Sequence, residues 1–432
     1  MIFFAVLVSI YFLVFSSIAK FEDTAIFGGD AWEYQSIAVN FAKGHGIQKF
    51  GGMEPFETYK FESLAEQPSY YQDFFDLAGK IDYVRTPAYP FFLGVIYRLF
   101  GISPSIAKAI QLLLLVIIAA ALPFIGYNYW GKLGFYGGIP AGAFYLAINY
   151  KFSEYILTES LITFSIFLML IAFIFYEKQK GILSICLLGV SLGYALLVKG
   201  SLIFLPIFIW GIILVEAIKK NNPEKWRLFF LMVLTTLLTV FPWSLYASSE
   251  SGQFIFLSIQ GSTQILDDNN ELCIDGGWHP EWVNNKNALY NNDGIDNSRT
   301  VTKVANFYLH NPLLLPHCLA KKFIRGFGPL TFFWIFIGLL ALDGALRMLN
   351  KRTNSEFAKT WVRYPEMQIP ISFWVVIGNF LLITLIFHGE AFVTRSRLVA
   401  PMDFILALLG CVSVLRFLSI TSKNLRTYRA KI

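Results

Sequence analysis

Pro87-Ala88-Tyr89-Pro90-Phe91-Phe92-Leu93-Gly94-Val95-Ile96-Tyr97-Arg98-Leu99-Phe100 decides how the whole chain is threaded. The stretch is apolar enough to pass for a membrane crossing, and each crossing added or removed moves every later loop to the other side. At about 14 residues it falls short of the roughly 20 that a helix needs to span hydrocarbon about 30 Å thick. Pro87 and Pro90 stand at its start and Arg98 near its end. It reads as an interfacial or re-entrant helix within a polar loop.

The surroundings set the frame for that reading. With 56% hydrophobic residues, 17% aromatic and only 15% charged, and a mean hydropathy of +0.55, the chain is too apolar for a soluble protein, whose charged fraction is nearer a quarter. It is an integral membrane protein by composition. A net charge of +6 would suggest nucleic acid in a soluble protein, but in a membrane protein it reflects lysines and arginines held on the cytoplasmic side. Nucleic acid is therefore not an expected partner.

Apolar segments long enough to cross run roughly 1 to 20, 105 to 127, 133 to 150, 155 to 176, 181 to 199, 201 to 218, 227 to 247, 329 to 348, 369 to 388 and 398 to 419. The first lacks a basic leader and a small-residue cleavage site, which marks it as a retained anchor. Two long polar loops, 21–104 and 248–328, lie between spans.

Orientation follows from the short basic loops. Lys178 and Lys180, then Lys219, Lys220, Lys225 and Arg227, then Arg347, Lys351, Arg352, Lys359 and Arg363, and finally Lys423, Arg426, Arg429 and Lys431 mark one face as cytoplasmic. Both long loops then fall outside, with the 150 to 156, Lys199 and 388 to 397 turns. Counting Pro87–Phe100 as a span would put loop 177 to 180 outside and loop 248 to 328 inside, against the charge rule. The expectation is an all-α polytopic protein of about ten spans in the cytoplasmic (inner) membrane, both termini inside. It divides into a catalytic transmembrane module 1–247 that includes the first exterior loop, a second exterior loop 248–328 acting as lid or acceptor platform, and C-terminal helices and tail 329–432.

Within the first loop, Gly28-Gly29-Asp30-Ala31-Trp32-Glu33-Tyr34-Gln35-Ser36-Ile37-Ala38 begins a helix in which Tyr34, Ile37, Ala38 and Phe41 recur at helical spacing, ending at Gly44 and Gly46. Such a helix would lie along the membrane surface. Asp30 can serve as its N-cap, with Glu33 completing a capping box. A cap position also fixes a carboxylate rigidly at a helix N-terminus, so the same residue is a catalytic candidate.

The stretch from Gly29 to Tyr34, with Ala38, Asn40, Gly44 and Gly46 following, resembles the first-loop signature of the GT-C membrane glycosyltransferases. Within that superfamily it is most similar to the protein mannosyltransferase and lipid A aminoarabinose transferase group. Arg85-Thr86-Pro87-Ala88-Tyr89-Pro90 leading to Leu99-Phe100-Gly101 resembles that group's Arg-x-Pro-x-Tyr-Pro segment. Leu157-Thr158-Glu159-Ser160-Leu161, Leu192 to Lys199, Pro242-Trp243-Ser244-Leu245-Tyr246 and Thr394 to Pro401 resemble further blocks, in the family's order. There are two departures from the pattern: Lys199 stands where arginine is usual, and Leu245-Tyr246 replaces an Arg-Asn pair.

The resemblance implies an inverting transfer of a sugar, hexose or pentose, from a polyprenyl-phosphate carrier to a glycan, lipid or protein acceptor on the extracytoplasmic face, among membrane lipids. A hydroxyl has a pKa far above 7, so a carboxylate must take its proton as the new bond forms; Asp30 is the candidate base. The leaving phosphate is already ionised, so positive charge replaces a general acid. Arg85, Lys199, Arg395 and Arg397 are the candidates for it, by charge-assisted contacts. Glu33, Tyr34, Tyr89 and Glu159 are candidates for orienting the acceptor.

Plainer roles stand beside these. Lys199 can snorkel from a helix end, Arg395 and Arg397 can pair with Glu390 or face lipid headgroups, Arg85 can be a solvated loop residue, and Glu159 can pair with Lys151. No metal or other cofactor is implied: the first loop has no Asp-x-Asp, and the five histidines lack ligand spacing. Cys273 and Cys318 both fall in the second exterior loop, where an oxidising compartment permits a bridge. The rival functions are a transporter or flippase and an O-antigen polymerase or ligase. A transporter would show repeated halves and charges deep in the membrane, and a polymerase or ligase would depend on a late loop and not on Asp30.

Overall fold

The structure is a computed structural model, and it describes residues 2–21, 29–47, 85–220, 222–258, 269, 297–327, 334, 337–339, 342, 369–386, 391–392, 395–396 and 400–429. The described chain is helical apart from one antiparallel ribbon of two-residue strands, β1 (Ala391–Phe392) and β2 (Arg395–Ser396). The protein is an all-α polytopic membrane protein. Every expected span except 329 to 348, which lies almost wholly outside the described residues, coincides with a described helix.

The first is α1 (Ile2–Ser16). Next come two short helices of the first loop, α2 (Gly29–Ala42) and α3 (Ala88–Phe100), and then α4 (Pro104–Asn149). Ser103 caps α4, its hydroxyl accepting from the Ile106 N–H, and Pro104 occupies the first turn, where its missing donor does no harm. This long helix is two spans, not one. Trp130 and Gly131 leave helical geometry, Gly131 at φ +58, and fold the two arms antiparallel. The arms meet through Gly126 against Gly134, Pro123 against Gly138 and Ala119 against Gly142, and a Cβ on Gly126 or Gly134 would overlap the other's backbone. Small residues of this kind are what let helices touch where lipid gives no hydrophobic drive.

The 3-10 turn Tyr150–Glu154 leads to α5 (Glu159–Gln179) and α6 (Ile182–Val198). A second turn, Gly200–Ile203, leads to α7 (Phe204–Lys220) and α8 (Pro223–Ser251). Gly189 and Gly193 of α6 lie directly on Met232, Thr235, Thr236 and Thr239 of α8. The three threonine hydroxyls bond carbonyls of their own helix, so this seam holds by close packing without polar contacts across it. The described second loop contributes α9 (Asn297–His310) and α10 (Leu314–Phe327); α11 (Ile371–Ile386) and α12 (Asp403–Arg429) complete the chain.

The elements sort into two ends. At one, Glu216 draws in Lys220 at 2.9 Å, Lys225 at 3.3 Å and Lys180 at 3.9 Å, uniting the α5–α6 and α7–α8 turns. The α4 bend joins them there, with the Tyr129 hydroxyl donating to Glu177 at 3.2 Å. At the other end lie α2, α3, the 150–155 turn and the Val198–Lys199 turn. This is the sorting that the basic loops imply. Pro87–Phe100 stays on its own side: α3 turns Tyr89, Leu93, Ile96 and Tyr97 onto the protein and leaves Phe91, Val95 and Leu99 exposed, the apolar outer stripe of an interfacial helix.

The reading of α2 as a surface helix is corrected. Tyr34, Gln35, Ser36, Ile37, Ala38, Val39 and Asn40 are all buried, polar and apolar faces alike. The cover on one side is α3, where Gly94 lets Ala38 and Phe41 approach closely and the Tyr97 hydroxyl donates to Gln35 at 2.5 Å. The expected stop holds, since α2 ends at Ala42 and Gly44 follows at φ +89.

Candidate active site

The site is built where α2 and α3 meet. The helix starts at Gly29, so Asp30 stands inside the first turn rather than at the cap. Its carboxylate there gains from the exposed N–H groups of that turn. Glu33, one turn on, gives an oxygen to Arg85 instead of closing a capping box.

Arg85, just before α3, ties both carboxylates together. Its Nη2 donates to Asp30 Oδ1 at 2.6 Å and its Nε to Glu33 Oε2, while the guanidinium lies over the Tyr34 ring, 5.5 Å from the centroid. The three side chains are not equally hidden. Arg85 is 10% exposed and Glu33 7%, but Asp30 is 31% exposed. Glu33 is therefore the buried partner of Arg85, and Asp30 the more exposed one. Burial pulls the Arg85 pKa down, but the Asp30 and Glu33 charges outweigh it and raise it well above its ordinary value. The guanidinium is permanently charged and holds the Asp30 carboxylate in place at 2.6 Å.

Behind this cluster, the Tyr89 ring meets Tyr34 edge-on at 4.9 Å, and Tyr89, fully buried, donates its hydroxyl to Gln111 Oε1 at 2.7 Å. Tyr89 therefore supports Tyr34 from beneath. The Thr86 hydroxyl donates to the Val198 carbonyl at 2.9 Å, which brings half-buried Lys199 beside the Arg85 segment. Leu257 closes on the same place, in van der Waals reach of a Cβ at Gly200 as Thr86 is. Its position is set by Trp243, whose Nε1 donates to the Leu257 carbonyl at 2.6 Å, and by Ser244, which donates to the Ile255 carbonyl at 2.7 Å. Leu245 and Tyr246, at the positions of the departing Arg-Asn pair, point outward and are exposed.

Glu159 is buried at the first turn of α5, on the same end, while Lys151 is exposed. The turn Ala400–Met402 packs against α5, and β2 against α10. Arg395 is placed only by its backbone in β2, and Arg397 lies outside the described residues. Among the described residues no three His, Cys, Asp or Glu side chains are grouped so as to hold a metal ion. Cys318 is disulfide-bonded, Cys186 and Cys411 are free, and Cys273 lies outside the described residues.

The structure also buries polar residues that the sequence reading passed over: Lys108 and Gln111 in the first arm of α4, Asp403 at the start of α12, and Lys322 in α10. Lys322 donates to Asn269 Oδ1 at 2.8 Å and to the Ile386 carbonyl at 2.9 Å, and Tyr308 also donates to Asn269, at 3.0 Å. Burial raises the Tyr308 pKa. A single charge or amide inside an apolar window was the available signal for Lys108, Gln111 and Asp403.

Residues 144–257 match the dolichyl-phosphate-mannose-protein mannosyltransferase family. The matched segment runs from the end of α4 to Leu257, so it takes in Glu159, Lys199 and the Trp243 fold-back and stops short of Asp30 and Arg85. That part of the chain is similar to a membrane mannosyltransferase family. Two solved structures are similar over 96% of this chain at 13% identity, both of ArnT from Cupriavidus metallidurans. The form bound to undecaprenyl phosphate has a TM-score of 0.42 and is covered over 77% of its length; the apo form has a TM-score of 0.39 and is covered over 76%. No curated protein sequence matches the chain.

Proposed function

We propose that the protein is an inverting glycosyltransferase of the cytoplasmic membrane, moving a sugar from a polyprenyl-phosphate carrier to an acceptor hydroxyl on the extracytoplasmic face. The observation that carries the reading is the unequal pair on one guanidinium, with Glu33 buried and Asp30 presented. The matched mannosyltransferase segment, whose family name includes a lipid-phosphate sugar, supports the donor class. The three lysines around Glu216 at the far end support an outward-facing site by the positive-inside rule, as does a disulfide at Cys318 on the near side.

In the reaction the acceptor oxygen attacks the anomeric carbon from the face opposite the phosphate. The carbon–oxygen bond to phosphate breaks, its electron pair leaves with the phosphate, and the acceptor proton passes to Asp30. Arg85 holds Asp30 aimed through the 2.6 Å contact. Lys199, with Arg395 and Arg397, supplies positive charge for the departing lipid phosphate, and Glu159 orients the acceptor. Sugar transfer in membrane vesicles from cells that lack the endogenous protein, which supply the native donor and acceptor, tests the assignment. Asp30→Asn should lower turnover about 100- to 10,000-fold, the range of a lost general base, with folded protein unchanged. Full turnover in that variant overturns the mechanism.

A further inference from the structure

We infer that Gln111 is a positioning residue for Asp30, joining the two halves of the site through one amide. This rests on Asp30 being the base.

Gln111 is fully buried in the first arm of α4, two turns from its cap. Its Oε1 accepts the Tyr89 hydroxyl at 2.7 Å, and its Nε2 donates to the carbonyls of Ser153 at 3.3 Å and Tyr155 at 2.8 Å. The network admits only one orientation of the amide. Both backbone partners are acceptors, so both Nε2 hydrogens face them, and the amide oxygen is left to Tyr89, which must be the donor. Both Nε2 hydrogens and the amide oxygen each find a partner, and no other side chain of this size offers two donors and an acceptor in that array.

On one side, contact runs from Gln111 to Tyr89, from the Tyr89 ring edge to Tyr34 at 4.9 Å, from the Tyr34 face to the Arg85 guanidinium at 5.5 Å, and from Arg85 to Asp30 at 2.6 Å. On the other side, the Tyr155 carbonyl lies four residues before Glu159, the first residue of α5. The Tyr89 hydroxyl is the only polar atom of the first branch that reaches the amide. Removing it takes away the bond that anchors Tyr89 to Gln111 and loosens the support beneath Tyr34 and Arg85. A catalytic carboxylate displaced by about 1 Å loses up to a hundredfold in rate.

The test uses full-length protein in the same vesicles, with turnover expressed per folded molecule by counting the monodisperse fraction after detergent extraction. Tyr89→Phe keeps the ring and deletes one hydroxyl. It should lower turnover about tenfold or more while the folded fraction stays at the parental level. Gln111→Leu should fall at least as far, and the double variant should be no worse than Gln111→Leu alone, because both act along one line. A purely structural role would lower the folded fraction and leave turnover per folded molecule unchanged, which overturns the proposal. Multiplicative losses in the double variant overturn it as well. If Gln111→Leu does not fold, Tyr89→Phe decides alone. The two readings fail separately: an active Asp30→Asn removes the base, whereas a dead Asp30→Asn with a fully active Tyr89→Phe removes only the positioning.

Discussion

Replacing Arg85 by glutamine should destabilise the protein by about 3 kcal/mol, and most of that loss should come from Glu33. The two arms of the guanidinium differ in worth. The Asp30 arm ends on a carboxylate that is 31% exposed, so water compensates much of its loss and the pair contributes toward the surface value of about 0.2–1 kcal/mol. The Glu33 arm ends on a carboxylate that is 7% exposed, where breaking a pair costs about 3–5 kcal/mol because a charge is left buried without a partner. The loss in Arg85→Gln is set at the lower end of that range. Removing the buried charge as well should restore most of the stability, so that Glu33→Gln combined with Arg85→Gln is about 2 kcal/mol better than the sum of the single changes. Arg85→Lys should fall between, since an ammonium cannot reach both carboxylates with the geometry of a fork. Denaturation midpoints in a mild detergent, followed by size-exclusion, give the four corners of the cycle. A coupling below about 0.5 kcal/mol, within the additivity expected of independent sites, would refute the view of Arg85 and Glu33 as a buried pair.

Other expectations are quicker to check. Trp243→Phe removes the donor to the Leu257 carbonyl at a cost of about 1–3 kcal/mol for the buried acceptor left behind, and limited proteolysis should then cut sooner just after Leu257. Gly134→Leu forces a side chain into the Gly126 backbone, so the folded yield should collapse, whereas Gly211→Ala, which meets nothing within 4 Å, should leave it unchanged. Cys318 is disulfide-bonded, and the parent should therefore shift in gel mobility on adding reductant while Cys318→Ser should not; an identical response in both would contradict the bond.

The threading of the chain was legible because charge is cheap to place on one side of a membrane and costly on the other. Lys180, Lys220 and Lys225 sort the turns, and the structure brings these three lysines onto Glu216. Asp30 was legible as a polar residue at a helix start, and Arg85 through the resemblance of its Arg-x-Pro-x-Tyr-Pro segment. Their pairing was not, since the partners lie 55 residues apart and nothing local links them. Periodicity showed the apolar stripe of α2 but not the burial of its polar face, because the Gln35 partner Tyr97 lies 62 residues away. Gln111 was hidden for a related reason. An amide in an apolar run counts as a minor blemish in a span until the carbonyls of Ser153 and Tyr155, more than 40 residues on, are seen to face it.

The folded-back α4 bears on how the chain is made. The backbone contacts of its Gly126–Gly134 and Pro123–Gly138 pairs all come from within Pro104–Asn149, which also contains the bend at Trp130–Gly131. Contacts so local in sequence form early. During synthesis this pair can enter the bilayer as a finished unit before α5 has left the ribosome, with Gln111 already at the rim where the Ser153 and Tyr155 carbonyls will arrive.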